Sequence, residues 1–154
     1  YSGYRAPEIE QVKNEMPNNL IIGLYHGSIV GATLNNGNII EDGTDGDRFS
    51  GCDFVMAGDI HKRQELKRGN VSIVYPGSLI QQTFGETVTQ HGFCVWNIEE
   101  KTHQFIDLDT NYGLFDFQIK NNLFQFIDLS NFKDIIKLDR ECYFLKFDLK
   151  GMEL

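Results

Sequence analysis

Phe54-Val55-Met56-Ala57-Gly58-Asp59-Ile60-His61 is the stretch on which the fold turns. Four apolar residues in a row are too few for a helix core and read as a strand buried on both faces. Gly58 ends the run, and polar side chains follow at once. A second segment has the same form: Leu20-Ile21-Ile22-Gly23-Leu24-Tyr25 leads into His26-Gly27-Ser28. Further along, Val71-Ser72-Ile73-Val74-Tyr75 is a strand closed by the turn Pro76-Gly77-Ser78. Gly92 to Ile98 and His103 to Leu108 read as two strands joined by a turn at Glu99-Glu100-Lys101-Thr102. Upstream, Glu8 to Glu15 suits one helical stretch ending before Pro17. Residues 35–51, rich in Asn, Asp and Gly, read as a loop. The expected class is therefore α/β, and β-rich in this fragment.

The texture changes near residue 118. Asn121-Asn122 and Ser130-Asn131 punctuate the rest, Phe132 to Leu138 reads as a helix, and Tyr143 to Leu149 alternates as a strand does. The expected organisation is a main body over residues 1–118 and a smaller capping or partner-binding segment over 119–154.

Composition narrows the classes. With 41% hydrophobic and 12% aromatic residues, the 154-residue chain can bury a real core. No apolar run approaches the ~18 residues of a membrane span, and no apolar stretch of signal-peptide type follows Tyr1. Cys52, Cys94 and Cys142 are odd in number, far apart and without a CxxC pair. That pattern argues against a disulfide scaffold or a structural zinc site and fits a cytoplasmic, non-secreted protein. The net charge of −8 is wrong for a free-standing nucleic-acid binder, whose affinity comes from Lys and Arg. It suits a metal site, where carboxylates collect around cations that then attract phosphate.

Three candidate metal ligands stand at strand ends: His26, Asp59 and His61. Loops at strand ends are where sheet enzymes build their sites. Asp59 and His61 are two apart, so on an extended backbone they project the same way. An imidazole beside a carboxylate suits a divalent cation of the manganese, iron or zinc type. The plain alternative is a turn-capping Asp and a surface His. Lys62 and Ser78 are candidate phosphate contacts, although an exposed Lys is commonly just solvated and Pro76-Gly77-Ser78 is first of all a turn.

Four short motifs occur in order: Gly58-Asp59-Ile60-His61-Lys62, Tyr75-Pro76-Gly77-Ser78, Gly85-Glu86 and His91-Gly92-Phe93. Together with Leu24-Tyr25-His26-Gly27 they resemble the late motifs of the calcineurin-like metallophosphoesterases, specifically the SbcD-like DNA-repair nucleases. Those motifs read Gly-His-x-His-Lys, Tyr-Pro-Gly-Ser and Gly-Glu, followed by a strand opening with Gly-Phe. The resemblance covers about residues 20–118. It implies a partial calcineurin-like β-sandwich flanked by helices. It also implies a manganese or magnesium pair ~3.5–4 Å apart, with His26 and Asp59 on the second metal and His61 on the first. Asp59 stands where the family has His, which would harden the site.

None of the family's early motifs, Asp-x-His, Gly-Asp-x-x-Asp and Gly-Asn-His, occurs upstream of Gly58 in this sequence. No catalytic residue is therefore assigned. The expectation is a fragment, cut from something longer, that alone binds metal weakly and does not cleave DNA. The implied whole is a metal-dependent exo/endonuclease subunit of a bacterial or viral repair or recombination complex. Its implied partners are DNA, an SbcC-like ABC-type coiled-coil ATPase and a second copy of itself, with no membrane. Two other readings stay open: a phosphoesterase for small substrates, and a non-catalytic interaction module with a degenerate metal site.

Overall fold

The computed structural model describes residues 9–110, 112–120, 123–126 and 142–148. The fold is β-rich with few helices. Its centre is a four-stranded mixed sheet in the order β1-β2-β4-β3. Strands β1 (Ile22–His26), β2 (Phe54–Gly58) and β4 (Val71–Tyr75) run parallel, and β3 (Gln64–Arg68) is antiparallel to β4. The three expected runs thus form the parallel part, but β1, expected to be buried on both faces, is an edge strand with Leu24 78% exposed. Each residue of β4 is buried, as a strand flanked and covered on both faces must be.

Alternation along the strands sends residues to opposite faces. Val55, Ala57, Val71, Ile73 and Tyr75 meet one covering layer, made of Ile29, Ala32 and Phe49 from the long loop and Ile9 from α1 (Ile9–Glu15). The 35–51 loop is thus a packed structure; a 3-10 turn at Gly46–Phe49 drives Phe49 into the core, with the Asp45 carboxylate accepting from the Asp47 N–H. The opposite face carries Phe54, whose ring stacks on Trp96 at 4.3 Å between centroids. Trp96 belongs to the hairpin of β5 (Gly92–Asn97) and β6 (Thr102–Asp107), paired in register from Gly92↔Asp107 to Asn97↔Thr102. A Lys101–Asp53 ion pair holds the hairpin turn against the start of β2.

A third sheet follows, in the order β8-β7-β9. β7 (Tyr112–Lys120) runs across the boundary drawn at 118, pairing antiparallel with β8 (Leu123–Phe126) and parallel with β9 (Cys142–Asp148). The helix expected at 132–138 lies outside the described residues. Among the described residues, no helix is long and apolar enough to cross a membrane.

Candidate functional site

Because β1, β2 and β4 are parallel, their C-terminal ends share one edge of the sheet. His26 is in register with Gly58, which places His26 beside the residue that precedes Asp59. The His26 ring lies over Gly58, and a Cβ at that position would sit 3.1 Å from His26 Cδ2. Gly58 therefore leaves room for the imidazole. The fully buried Tyr75 reaches across from β4 and donates its hydroxyl to the Gly27 carbonyl at 2.8 Å, fixing the turn after His26. Burial pushes the Tyr75 phenol well above its usual range, so it stays a donor.

The segment after β2 is not the extended strand expected from the spacing of Asp59 and His61. Asp59 has φ 92°, a conformation rare for a residue with a side chain. The chain turns sharply there. Asp59 and His61 nonetheless line the same open cleft of about 360 Å³, together with Lys62. One wall is the turn Leu34-Asn35-Asn36, and the other is Thr83, Gly85 and Glu86.

Each wall is held by a glutamine that pairs with the backbone as a neighbouring strand would. Gln64 accepts from the Thr33 N–H at 2.7 Å and donates to the Thr33 carbonyl at 2.8 Å. Gln81, fully buried, accepts from Leu114 N–H at 2.7 Å and donates to Leu114 O and to Glu86 O, both at 2.9 Å.

The Pro76-Gly77-Ser78 turn packs directly on the His61 backbone. Ser78 N–H donates to the His61 carbonyl at 3.1 Å. Gly77 has φ 82°, and a Cβ there would meet His61 O at 2.9 Å and Arg63 N at 3.0 Å. Only glycine meets both demands.

The His61 side chain has a buried partner. Its Nδ1 lies 3.0 Å from Oε1 of Glu86, whose own side chain is 1% exposed while that of His61 is 40% exposed. Glu86 also accepts from Ser78 Oγ (2.9 Å), Thr83 Oγ1 (3.2 Å) and Gln82 N–H (3.2 Å). Burial alone would raise the Glu86 pKa. The donors His61, Gln82 N–H, Ser78 and Thr83 outweigh it and hold the carboxyl below its ordinary value. Glu86 is thus an anion with every oxygen supplied, and it fixes His61 as the Nδ1–H tautomer. The Nε2 lone pair is then free to accept or to ligate.

Ser78, expected as a phosphate contact, sits in the layer beneath the cleft. Its hydroxyl lies between Glu86 and His91, 3.0 Å from His91 Nδ1. Serine, histidine and glutamate are together here, but they are not a nucleophilic triad. The serine is buried, its hydroxyl donates to the acid, and the other histidine nitrogen faces the Thr87 carbonyl at 2.6 Å. Arg63, next to Lys62, stacks on Phe105 and pairs with Asp107, so it braces the hairpin.

Glu86, Gln81 and His91 were given no role by the sequence. The available signal was the spacing of the Gly85-Glu86 and His91-Gly92 pairs behind Pro76-Gly77-Ser78. Their physical unity, as supports of one imidazole, shows only in three dimensions. Among the described residues, no three His, Cys, Asp or Glu side chains converge as a ready ligand set.

No protein-family model matches the chain. It is similar to an uncharacterised protein of Acanthamoeba polyphaga mimivirus, 37% identical over 107 residues, a match that takes 66% of this chain and 8% of that protein. The chain thus spans a small part of the length of the curated relative it matches.

Proposed function

We propose that this chain contributes part of a two-metal phosphoesterase centre that hydrolyses phosphodiester bonds in DNA, in an exo/endonuclease subunit of the SbcD-like kind. The carrying observation is the His61–Glu86 pair. A histidine whose Nδ1 is held by a buried carboxylate, and whose half-exposed ring lines an open cleft, is oriented as metal-binding histidines are. The donor chemistry fits a hard divalent cation, manganese first and magnesium second: Asp59 supplies a carboxylate in the same cleft, and His26 stands at the adjoining strand end. In this reading His61 serves the first cation, His26 and Asp59 the second, and further donors come from outside the described residues. Such cations supply Lewis acidity and an activated water when bound.

The protein's own residues orient and exclude. Glu86 holds the ring of His61, Gly77 and Ser78 hold its backbone, and Lys62 supplies positive charge at the cleft for a phosphate. The reading includes a calcineurin-like sandwich built on the observed sheets. Its partners are DNA, an SbcC-like coiled-coil ATPase and a second copy. The test is manganese titration of the chain followed by NMR. Paramagnetic broadening should reach the rings of His61 and His26 well before that of His103. Equal broadening of all four histidines would remove the reading.

A further inference from the structure

We propose that His91 is a positioning residue for His61, acting through Ser78 and Glu86. The buried polar chain has four members: His91, Ser78, Glu86 and His61, joined by contacts of 3.0, 2.9 and 3.0 Å. Of the four side chains, only that of His61, at one end, is substantially exposed. His91, at the other, is buried, as are Ser78 and Glu86.

The hydrogen count sets the direction of the chain. Ser78 Oγ carries one hydrogen and has two neighbours that could take it, Glu86 Oε2 and His91 Nδ1. An ionised carboxylate is the stronger acceptor, so the hydrogen goes to Glu86. The hydrogen between Ser78 Oγ and His91 is then supplied by His91 Nδ1, which also faces the Ser78 carbonyl at 3.3 Å. His91 Nε2 faces the Thr87 carbonyl at 2.6 Å, which anchors the ring. From Nδ1, His91 turns the Ser78 hydroxyl toward Glu86.

The consequence for His61 follows. With Oε2 occupied by Ser78 and the fixed Gln82 N–H, the Glu86 carboxylate can present only Oε1 to the ring. Loss of His91 frees the Ser78 hydroxyl to rotate away, and Glu86 loses the donor that sets its plane. The grip on His61 Nδ1–H weakens, and the Nε2–H tautomer, which cannot ligate through Nε2, gains population. His91 touches neither the cleft nor His61, so its effect is indirect.

This inference deepens the reading of His61 as a metal ligand, but its test uses no metal, so the two can fail separately. The probe is nitrogen NMR of histidine rings in the metal-free 154-residue chain, with His61→Asn assigning the His61 signals. The wild-type chain should show His61 as Nδ1–H and a hydrogen on His91 Nδ1. His91→Leu should raise the ratio of Nε2–H to Nδ1–H at His61 about fivefold or more, the worth of one hydrogen bond. Ser78→Ala, which breaks the link while sparing His91, should do the same. His91→Gln, which keeps an N–H donor, should restore most of the wild-type ratio. Retained amide dispersion shows that each variant is folded. If His91→Leu does not fold, Ser78→Ala and His91→Gln decide the matter alone. An unchanged His61 ratio in folded Ser78→Ala or His91→Leu overturns the proposal. So does a wild-type His91 that carries no hydrogen on Nδ1.

Discussion

Glu86→Gln should reverse the tautomer of His61. The carboxylate receives four donors, two on each oxygen: Ser78 Oγ and Gln82 N–H on Oε2, His61 Nδ1 and Thr83 Oγ1 on Oε1. Glutamine has one oxygen and one NH₂ group. The Gln82 N–H is backbone and cannot turn, so the amide oxygen must take the Oε2 position. The NH₂ then faces His61 and Thr83. Thr83 can rotate its hydroxyl to accept. His61 can accept only by moving its hydrogen to Nε2, which closes the lone pair to the cleft. Four charge-assisted bonds become neutral ones, a loss of about 1 kcal/mol each, partly offset because a buried charge disappears. A net destabilisation of about 2 kcal/mol should lower the urea midpoint by about 1 M for a chain of this size. Nitrogen NMR reads the tautomer, and manganese affinity should fall about 10–100-fold. A folded Glu86→Gln chain in which His61 still carries its hydrogen on Nδ1 would refute the reasoning, whatever the denaturation curve shows.

Gly77→Ala forces a methyl group against His61 O and Arg63 N at φ 82°. It should cost about 1–3 kcal/mol in denaturant unfolding and shift the His61 amide resonance. Tyr75→Phe removes the bond to Gly27 O along with the hydroxyl's contact to the Ile29 backbone, so a loss of about 1 kcal/mol is expected, with the largest chemical-shift changes from His26 to Ile29. Acid should act through Glu86. Its folded pKa lies below the ordinary carboxylate value, so its contribution is complete above the unfolded value of about 4.3 and is lost as pH falls through the folded one. Urea unfolding followed from neutral pH downward should therefore weaken below that point, and less so in Glu86→Gln. Lys101→Ala removes a half-exposed partner of Asp53 and should change stability by less than about 1 kcal/mol.

The parallel core was legible because its strands are apolar runs bounded by Gly, Pro and His. The hairpin was legible from alternation around Glu99 to Thr102. β3 was not, for Gln64-Glu65-Leu66-Lys67-Arg68 has a single apolar residue. It is a strand because β4 offers it an edge, and one half-buried apolar residue, Leu66, suffices there. The bend at Asp59 was hidden as well, since an aspartate does not announce a positive φ. His26, Asp59 and His61 could be read as polar residues at strand ends, and Lys62 as an exposed cation beside them. Glu86 and His91 were not given roles, because a lone acid in a glycine-bearing loop and a histidine 13 residues beyond Ser78 carry no periodicity. Their significance is a matter of which atoms meet.

The two glutamine clamps bear on how this site could change over time. Each clamp ties one wall to the body through a neutral amide that reads only backbone, at Thr33 for one and at Leu114 and Glu86 for the other. Backbone is present whatever the side chain. The tip at Asn35-Asn36 could be lengthened, shortened or recoded without disturbing Gln64, whereas the wall of Thr83 and Glu86 also holds His61 and is bound to its present form. The cleft therefore has one constant wall and one replaceable wall, so new ligand preferences could arise by insertion at the Asn35-Asn36 tip while the imidazole keeps its orientation.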